Sequence, residues 1–326
     1  YLTNGAAFRL VERRYHDVIN EEDISHASIE RAVVNLCLEK NKSLLDLSIE
    51  DYNSNQLTKL ILERTSKSPK QIGDEIHKSI IERFEKGMLP VSNQTILHTG
   101  PHHDDIPLGY LPHITHLVRD ASNSHHFVTM TSGFTAVTNS YMLGLLEDLK
   151  YYLGQSDFTS RFTQRYFDPE FKEGKDRDIH LYLDGLAEHS KTIRKEAVSR
   201  RLLRNMIEIY EEDNITYLED RIDELINYFK TQYPGKKDIP HVQKLKGMMR
   251  EWEEELVWAF FGFNTSSVSH MRLGFYQGDI FTENPEMDRD VIPVFNLLKK
   301  IKPTIVTVAL DPEGSGPDTH YKVLQA

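Results

Sequence analysis

Four short runs of β-branched and apolar residues, separated by helical stretches, constrain the fold of this chain more than any other feature. They are Thr95-Ile96-Leu97-His98-Thr99, ending in Gly100-Pro101; Phe127-Val128-Thr129-Met130-Thr131, ending in Ser132-Gly133; Met271-Arg272-Leu273-Gly274-Phe275; and Thr304-Ile305-Val306-Thr307-Val308-Ala309-Leu310, ending in Asp311-Pro312. Short apolar runs bounded by breakers read as buried strands. Their alternation with helices predicts an α/β fold, a Rossmann-like, mostly parallel sheet flanked by helices, with ligand sites at the carboxyl ends of the strands.

Two helical regions frame these strands. Residues 1–90 read as a helical N-terminal segment: Ser28-Ile29-Glu30-Arg31-Ala32-Val33-Val34 starts one amphipathic run, and Ile72 to Phe84 carries apolar residues at helical spacing. The breaker cluster Leu89-Pro90-Val91-Ser92-Asn93 then opens a second domain, 91–326. Between Tyr141 and Trp258 the pattern is helical and highly charged, too long for a simple crossover, and is read as an insertion at about 150–250 that overhangs the strand ends. Its charge runs, such as Lys191 to Glu212, are expected to be a solvated face.

Composition narrows the function classes. At 39% hydrophobic residues over 326 positions the chain can bury a sizeable core. A net charge of −11 repels nucleic-acid phosphates, and nucleic acid is excluded as a partner. No stretch approaches the ~20 consecutive apolar residues of a membrane span, and no secretory layout opens the chain, so a cytoplasmic protein with no membrane partner is expected. The lone cysteine, Cys37, lies in an apolar helical stretch and reads as a buried hydrophobe, which excludes disulfide scaffolds and cysteine-rich zinc sites. The chain opens at Tyr1 without Met and stops at Ala326 within a helical pattern, so it reads as part of a longer polypeptide; a homo-oligomer is compatible with the sequence.

The chemistry gathers in Pro101-His102-His103-Asp104-Asp105, on the loop after the first strand. A catalytic zinc typically takes three ligands from His and carboxylate groups and keeps one position for water, while a nearby carboxylate accepts that water's proton. Two adjacent aspartates allow this division of labour; the competing reading is that Asp104 and Asp105 cap the helix that follows. A third ligand must come from another strand end, and the best candidate is His320, at the close of the glycine-rich loop Gly314-Ser315-Gly316-Pro317-Asp318-Thr319-His320. His113 and His116, on the following helix, serve less well, and His125 and His126 read as loop residues before the second strand.

Residues 95–326 resemble the PIG-L/LmbE family of zinc-dependent N-acetylglucosaminyl deacetylases. The family's first motif, His-Pro-Asp-Asp with a glycine four residues on, is matched by His102-His103-Asp104-Asp105 and Gly109. Thr131-Ser132-Gly133, Arg250-x-x-Glu253 with Phe261-Gly262, Leu273-Gly274-Phe275 and His320 resemble further family stretches in the same order. The resemblance implies that His102, Asp105 and His320 bind Zn2+, that Asp104 is the general base, and that the substrate is an amino sugar such as an N-acetylglucosamine derivative. His103, Arg250 and Asp318 join the set as substrate-binding candidates, Arg250 and Glu253 being equally readable as an exposed helical ion pair. Two positions depart from the family: His103 replaces its proline, and Pro317 stands where a second C-terminal histidine helps stabilise the oxyanion, leaving Asp318 either to take part of that role or simply to form a turn.

Arg31-Ala32-Val33-Val34 and Ser48-Ile49-Glu50-Asp51-Tyr52-Asn53 resemble the connector of bacterial fusion proteins that join a glucosamine-6-phosphate deaminase-like half to a PIG-L-like half. This offers one alternative to the deacetylase, a companion domain of such a deaminase (isomerase); Pro317 and the large helical insertion motivate another, a non-catalytic sugar-binding module.

Overall fold

The computed structural model describes residues 25–163, 165–233, 235–279, 282–309 and 318–326. The chain divides into two compact units, Tyr1–Pro90 and Val91–Ala326. Among the described residues no helix is long and apolar enough to cross a membrane.

The first unit is helical over its described residues. Helix α1 (His26–Lys40) is capped by the Ser25 side chain and ends where Asn41 turns left-handed at φ 51°. Helices α2 (Ile49–Asn53) and α4 (Pro69–Met88) each begin in a reciprocal capping box, Ser48 with Asp51 and Ser68 with Gln71, while Asn55 caps α3 (Gln56–Thr65). Val33, Leu36, Tyr52, Ile61, Ile72 and Ile76 form its core. Cys37 is half-buried at the edge of that core rather than inside it.

The second unit is built on a four-stranded sheet, all parallel, in the order β3-β2-β1-β4. The α/β class read from the sequence is what the chain adopts. Strand β1 (Thr95–Gly100) is central and almost wholly buried, and its buried polar side chains His98 and Thr99 are hydrogen-bonded, to His125 and to the Thr307 carbonyl. Helix α5 (Asp105–Leu117) follows it and kinks at Tyr110, φ −153°, two residues before the internal Pro112. Strand β2 (Ser124–Thr129) pairs with β1 from Thr95↔Ser124 to Gly100↔Thr129. It starts three residues earlier than expected, so His125 and His126 are strand residues rather than loop residues. His125 fits there because its Nδ1 lies 3.0 Å from Nε2 of the fully buried His98, and the two rings stack.

Strand β3 (Val268–His270) falls just before the expected Met271–Phe275 run. The ladder goes on briefly, with Met271 N donating to Thr129 O and Leu273 N to Met130 O, but Arg272 takes a left-handed φ of 51° and ends the extended backbone. Strand β4 (Ile305–Thr307) lies inside the expected Thr304–Leu310 run and is short because, as an edge strand, it pairs only with Ile96–His98 of β1; Leu310 lies outside the described residues.

Between β2 and β3 run α6 (Asn139–Leu153), α7 (Ser156–Thr163), α8 (Lys172–Ala187), α9 (Lys191–Tyr210), α10 (Ile215–Thr231) and α11 (Pro240–Phe260), packed around a shared core that includes Met142, Leu146, Leu203, Met206, Ile222 and Trp252. The charges of α9 are not all solvated, as the sequence led one to expect. Arg200, Arg201 and Arg204 are buried, Arg200 and Arg204 around the carboxylate of Asp178 and Arg201 on Glu255. A buried arginine is tolerated only with such a partner, and the facing helices supply it.

Helix α11 runs along β2 in the opposite sense. Gly247 meets Ser132, Glu254 accepts from the Thr129 hydroxyl, and the Trp258 ring stacks on Phe127 at 3.7 Å. Its first half therefore reaches beyond the carboxyl end of the sheet. Helix α12 (Ile292–Ile301) precedes β4, and α13 (Asp318–Gln325) closes the chain.

Candidate metal centre

The chain steps from β1 to β2 to β3 on one side of the sheet and returns to β4 on the other side of β1, so the carboxyl ends of β1 and β4 flank a topological switch point, where parallel sheets open a crevice. The loop after β1 is held there by the extension of β2. Met130 N donates to Gly100 O at 2.9 Å, and Thr131 donates to Pro101 O from both its amide, at 3.0 Å, and its hydroxyl, at 2.8 Å. Gly100 leaves room for the loop to double back on the strand end: a Cβ there would stand 2.8 Å from Ile106 Cγ1 and 3.1 Å from His102 O, so a neighbour would have to shift.

On this loop His102 Nδ1 lies 3.4 Å from Asp105 Oδ2. His320, in the first turn of α13 and buried, brings its Nε2 to 3.2 Å from His102 Nδ1 and 3.4 Å from the same Asp105 oxygen. These three residues, far apart in the sequence, form a group that could hold a metal ion. Three ligands ~2.0–2.2 Å from one tetrahedral ion stand roughly 3.3–3.6 Å from each other, so the triangle has the size the ion requires. Burial raises the Asp105 pKa, but hydrogen bonds from the His102 side chain and backbone, with the charge of His320, outweigh it and hold the carboxyl below its ordinary range. His320 lies on a helix rather than on the glycine-rich loop read from the sequence; residues 310–317, Pro317 among them, lie outside the described residues.

Asp104 takes the N-cap position of α5 but makes no side-chain cap bond. Its carboxylate is half-exposed, 3.6 Å from Arg250 Nη2, and Arg250 also pairs with Glu253. The Arg250–Glu253 pair is therefore joined to the loop and is not an isolated surface pair. Asp318 is exposed at the start of α13. His113 and His116 are exposed on α5. The rings of Tyr276 and His102 meet edge to face with centroids 5.8 Å apart.

His103 points elsewhere. It is only 4% exposed, its ring lies 5.6 Å from that of His270, and neither of its nitrogens has a hydrogen-bond partner. Gly133, at φ 59°, packs against it, and a Cβ on that residue would come within 3.1 Å of His103 Nδ1. Burial pushes the His103 imidazole down to about 3, so it is neutral.

Behind His103 is a buried set of ionisable groups that the sequence reading missed. Glu251, Glu254 and Glu255 of α11 are all buried, and His270 ends β3 among them. Glu251 takes two bonds from Arg272, at 2.6 and 2.8 Å; burial opposes its ionisation, but the charge of His270 and then these bonds hold it at about 2. Glu255 is paired with Arg201 and Lys175, each at 2.6 Å, and stays well below the usual carboxylate range against the same burial. Burial pushes Glu254 up to about 7 despite the opposing charge of His270 and the bonds from Thr129 and Trp258. Burial would lower His270, but the facing glutamates raise it. The signal in the sequence was the spacing of Glu251, Glu254 and Glu255 on the helix face that also carries Trp258, an apolar stripe interrupted by acids.

Compared with protein-family models, with curated proteins and with solved structures, the chain has no match.

Proposed function

We propose that this chain is a zinc-dependent amidohydrolase that removes an acyl group, such as acetyl, from the nitrogen of an amino sugar in the cytoplasm, on a sheet of Rossmann-like arrangement. The observation that carries the reading is the meeting of His102, Asp105 and His320 at mutual distances of 3.2 to 3.4 Å at the switch point of a parallel sheet. The resemblance of the His102-His103-Asp104-Asp105 run to the PIG-L/LmbE deacetylases adds the reaction and the substrate class.

The donor set, two imidazoles and a carboxylate, suits zinc, and His102, Asp105 and His320 would hold it. When bound, zinc supplies a Lewis acid for the acyl carbonyl and makes a water molecule acidic enough to attack at neutral pH. Asp105 is committed: its Oδ2 accepts from the His102 backbone amide at 2.6 Å, which fixes the carboxylate beside both histidines. Asp104, on the same loop and half-exposed, would take the attacking water's proton and pass it to the departing amine. Arg250, 3.6 Å from Asp104, orients that carboxylate and adds positive charge beside the crevice.

The test is hydrolysis of N-acetylglucosamine and its phosphorylated and conjugated derivatives by zinc-loaded protein, with acetate and ammonia assayed separately. Acetate release that disappears with chelator and in His102→Ala is the expected result. Release of ammonia without acetate would replace this reading with the deaminase, and binding of the sugar with neither product would replace it with the non-catalytic module.

A further inference from the structure

We propose that His103, Glu254 and His270 form a second cation site, separate from His102, Asp105 and His320 and suited to a divalent transition metal. One ligand atom from each of the three residues lies within 4.8 Å of those of the others. His270 Nδ1 stands 3.5 Å from Glu254 Oε2, close to the roughly 3.3–3.6 Å between two ligands of one tetrahedral ion.

Three independent features of the cluster call for an ion. The first is hydrogen bonding. Both nitrogens of His103 and Nδ1 of His270 are buried without a hydrogen-bond partner. Orphaned buried polar atoms are rare, and one ion would take two of these three, one nitrogen of His103 and Nδ1 of His270.

The second feature is charge. Glu251 is matched by Arg272, and Glu255 by Arg201 and Lys175. Among the described residues neither Lys nor Arg pairs with Glu254, whose contacts are the Thr129 hydroxyl, the Trp258 indole at 3.2 Å and His270. Apart from His270 itself, no cation among the described residues pairs with this buried carboxylate, and a divalent ion between it and the two imidazoles supplies the countercharge without a second proton on His270.

The third feature is the surrounding shell. His270 Nε2 lies 3.3 Å from Glu255 Oε1. With the proton on Nε2, that bond turns the Nδ1 lone pair towards Glu254 and His103, in the carboxylate-histidine arrangement that orients metal-binding imidazoles. Thr129 and Trp258 likewise fix the Glu254 carboxylate. Two imidazoles and one glutamate select zinc, cobalt or nickel over magnesium or calcium, which prefer all-oxygen shells. Such an ion would join the loop after β1 to α11 and β3, holding the loop that carries the first site. This site does not depend on the deacetylase reading.

The test is Co2+ titration of metal-free protein, followed by visible absorption, with equilibrium dialysis for stoichiometry. The expected result is two ions per chain in the parent, one in His102→Ala/His320→Ala, and one in Glu254→Gln, which keeps the side chain's size. Loss of all binding in a folded His102→Ala/His320→Ala chain, or two ions retained in Glu254→Gln, overturns the proposal. Should Glu254→Gln not fold, anomalous diffraction at the zinc edge from the parent decides. A peak among His103, Glu254 and His270 supports the second site, and a peak at the first site alone rejects it. Two bound ions without hydrolysis of any amino sugar would leave this site standing and remove the function proposed above.

Discussion

Asp104 and Asp105 are neighbours in sequence with opposite surroundings. Asp105 is tied to the His102 amide at 2.6 Å and faces both histidines, whereas Asp104 is half-exposed and lies 3.6 Å from the tip of Arg250. The difference separates their expected roles. Asp104→Asn keeps size and polarity and removes basicity, so it should retain zinc and the fold while losing roughly a hundredfold or more in turnover, the usual scale for a general base. Asp105→Ala should lose the metal as well. Zinc content measured beside acetate release checks both, and near-normal turnover in Asp104→Asn would assign the proton to another group. The residue types of the first site were legible because His and Asp stand together in one short run. His103, in the same run, was not: whether a side chain turns towards a crevice or into the core depends on what packs above it, here Gly133 and His270.

At the scale of the element, local signals worked where the physics is local. The capping box of Ser48 and Asp51 starts α2, and Lys42 adds an ion pair to the same carboxylate at 2.7 Å. The bond from Lys42, then that from the Ser48 amide, lowers the Asp51 pKa from 3.8 to about 2. A depressed carboxyl contributes stability that is fully present above its unfolded value and is lost as pH falls through its folded one. Asp51→Asn should therefore be less stable than the parent near neutral pH, with the gap closing as pH falls from 3.8 to about 2. Urea unfolding of the two proteins over that range checks it; a gap that does not change with pH would show that the carboxylate's charge is not what matters. Strand ends were less legible. β1 stops where Gly100 lets the loop double back, a short-range effect, but β3 stops just before Arg272 turns left-handed beside Glu251, a partner on helix α11.

Over the whole molecule, each of the two units has its own core, Val33, Leu36, Tyr52 and Ile61 in the first and separate clusters about the sheet and the inserted helices in the second. A chain of residues 91–326 should therefore fold alone, unfold cooperatively and bind as much zinc per chain as the parent; far-UV circular dichroism and metal analysis check this, and a chain without a cooperative transition would show that the units depend on each other. By itself, the sequence determined the α/β class, the end of β1 and the presence of a His-His-Asp-Asp run after it, because strand periodicity, glycine turns and caps act over a few residues. Only the tertiary structure decided that His103 turns out of that run into the core, and that the acids of α11 face inward around His270 instead of outward to water. The reason is physical: a charged side chain is buried only where other elements bring its partners, and which elements meet is a property of the packed sheet and helices, not of any one segment.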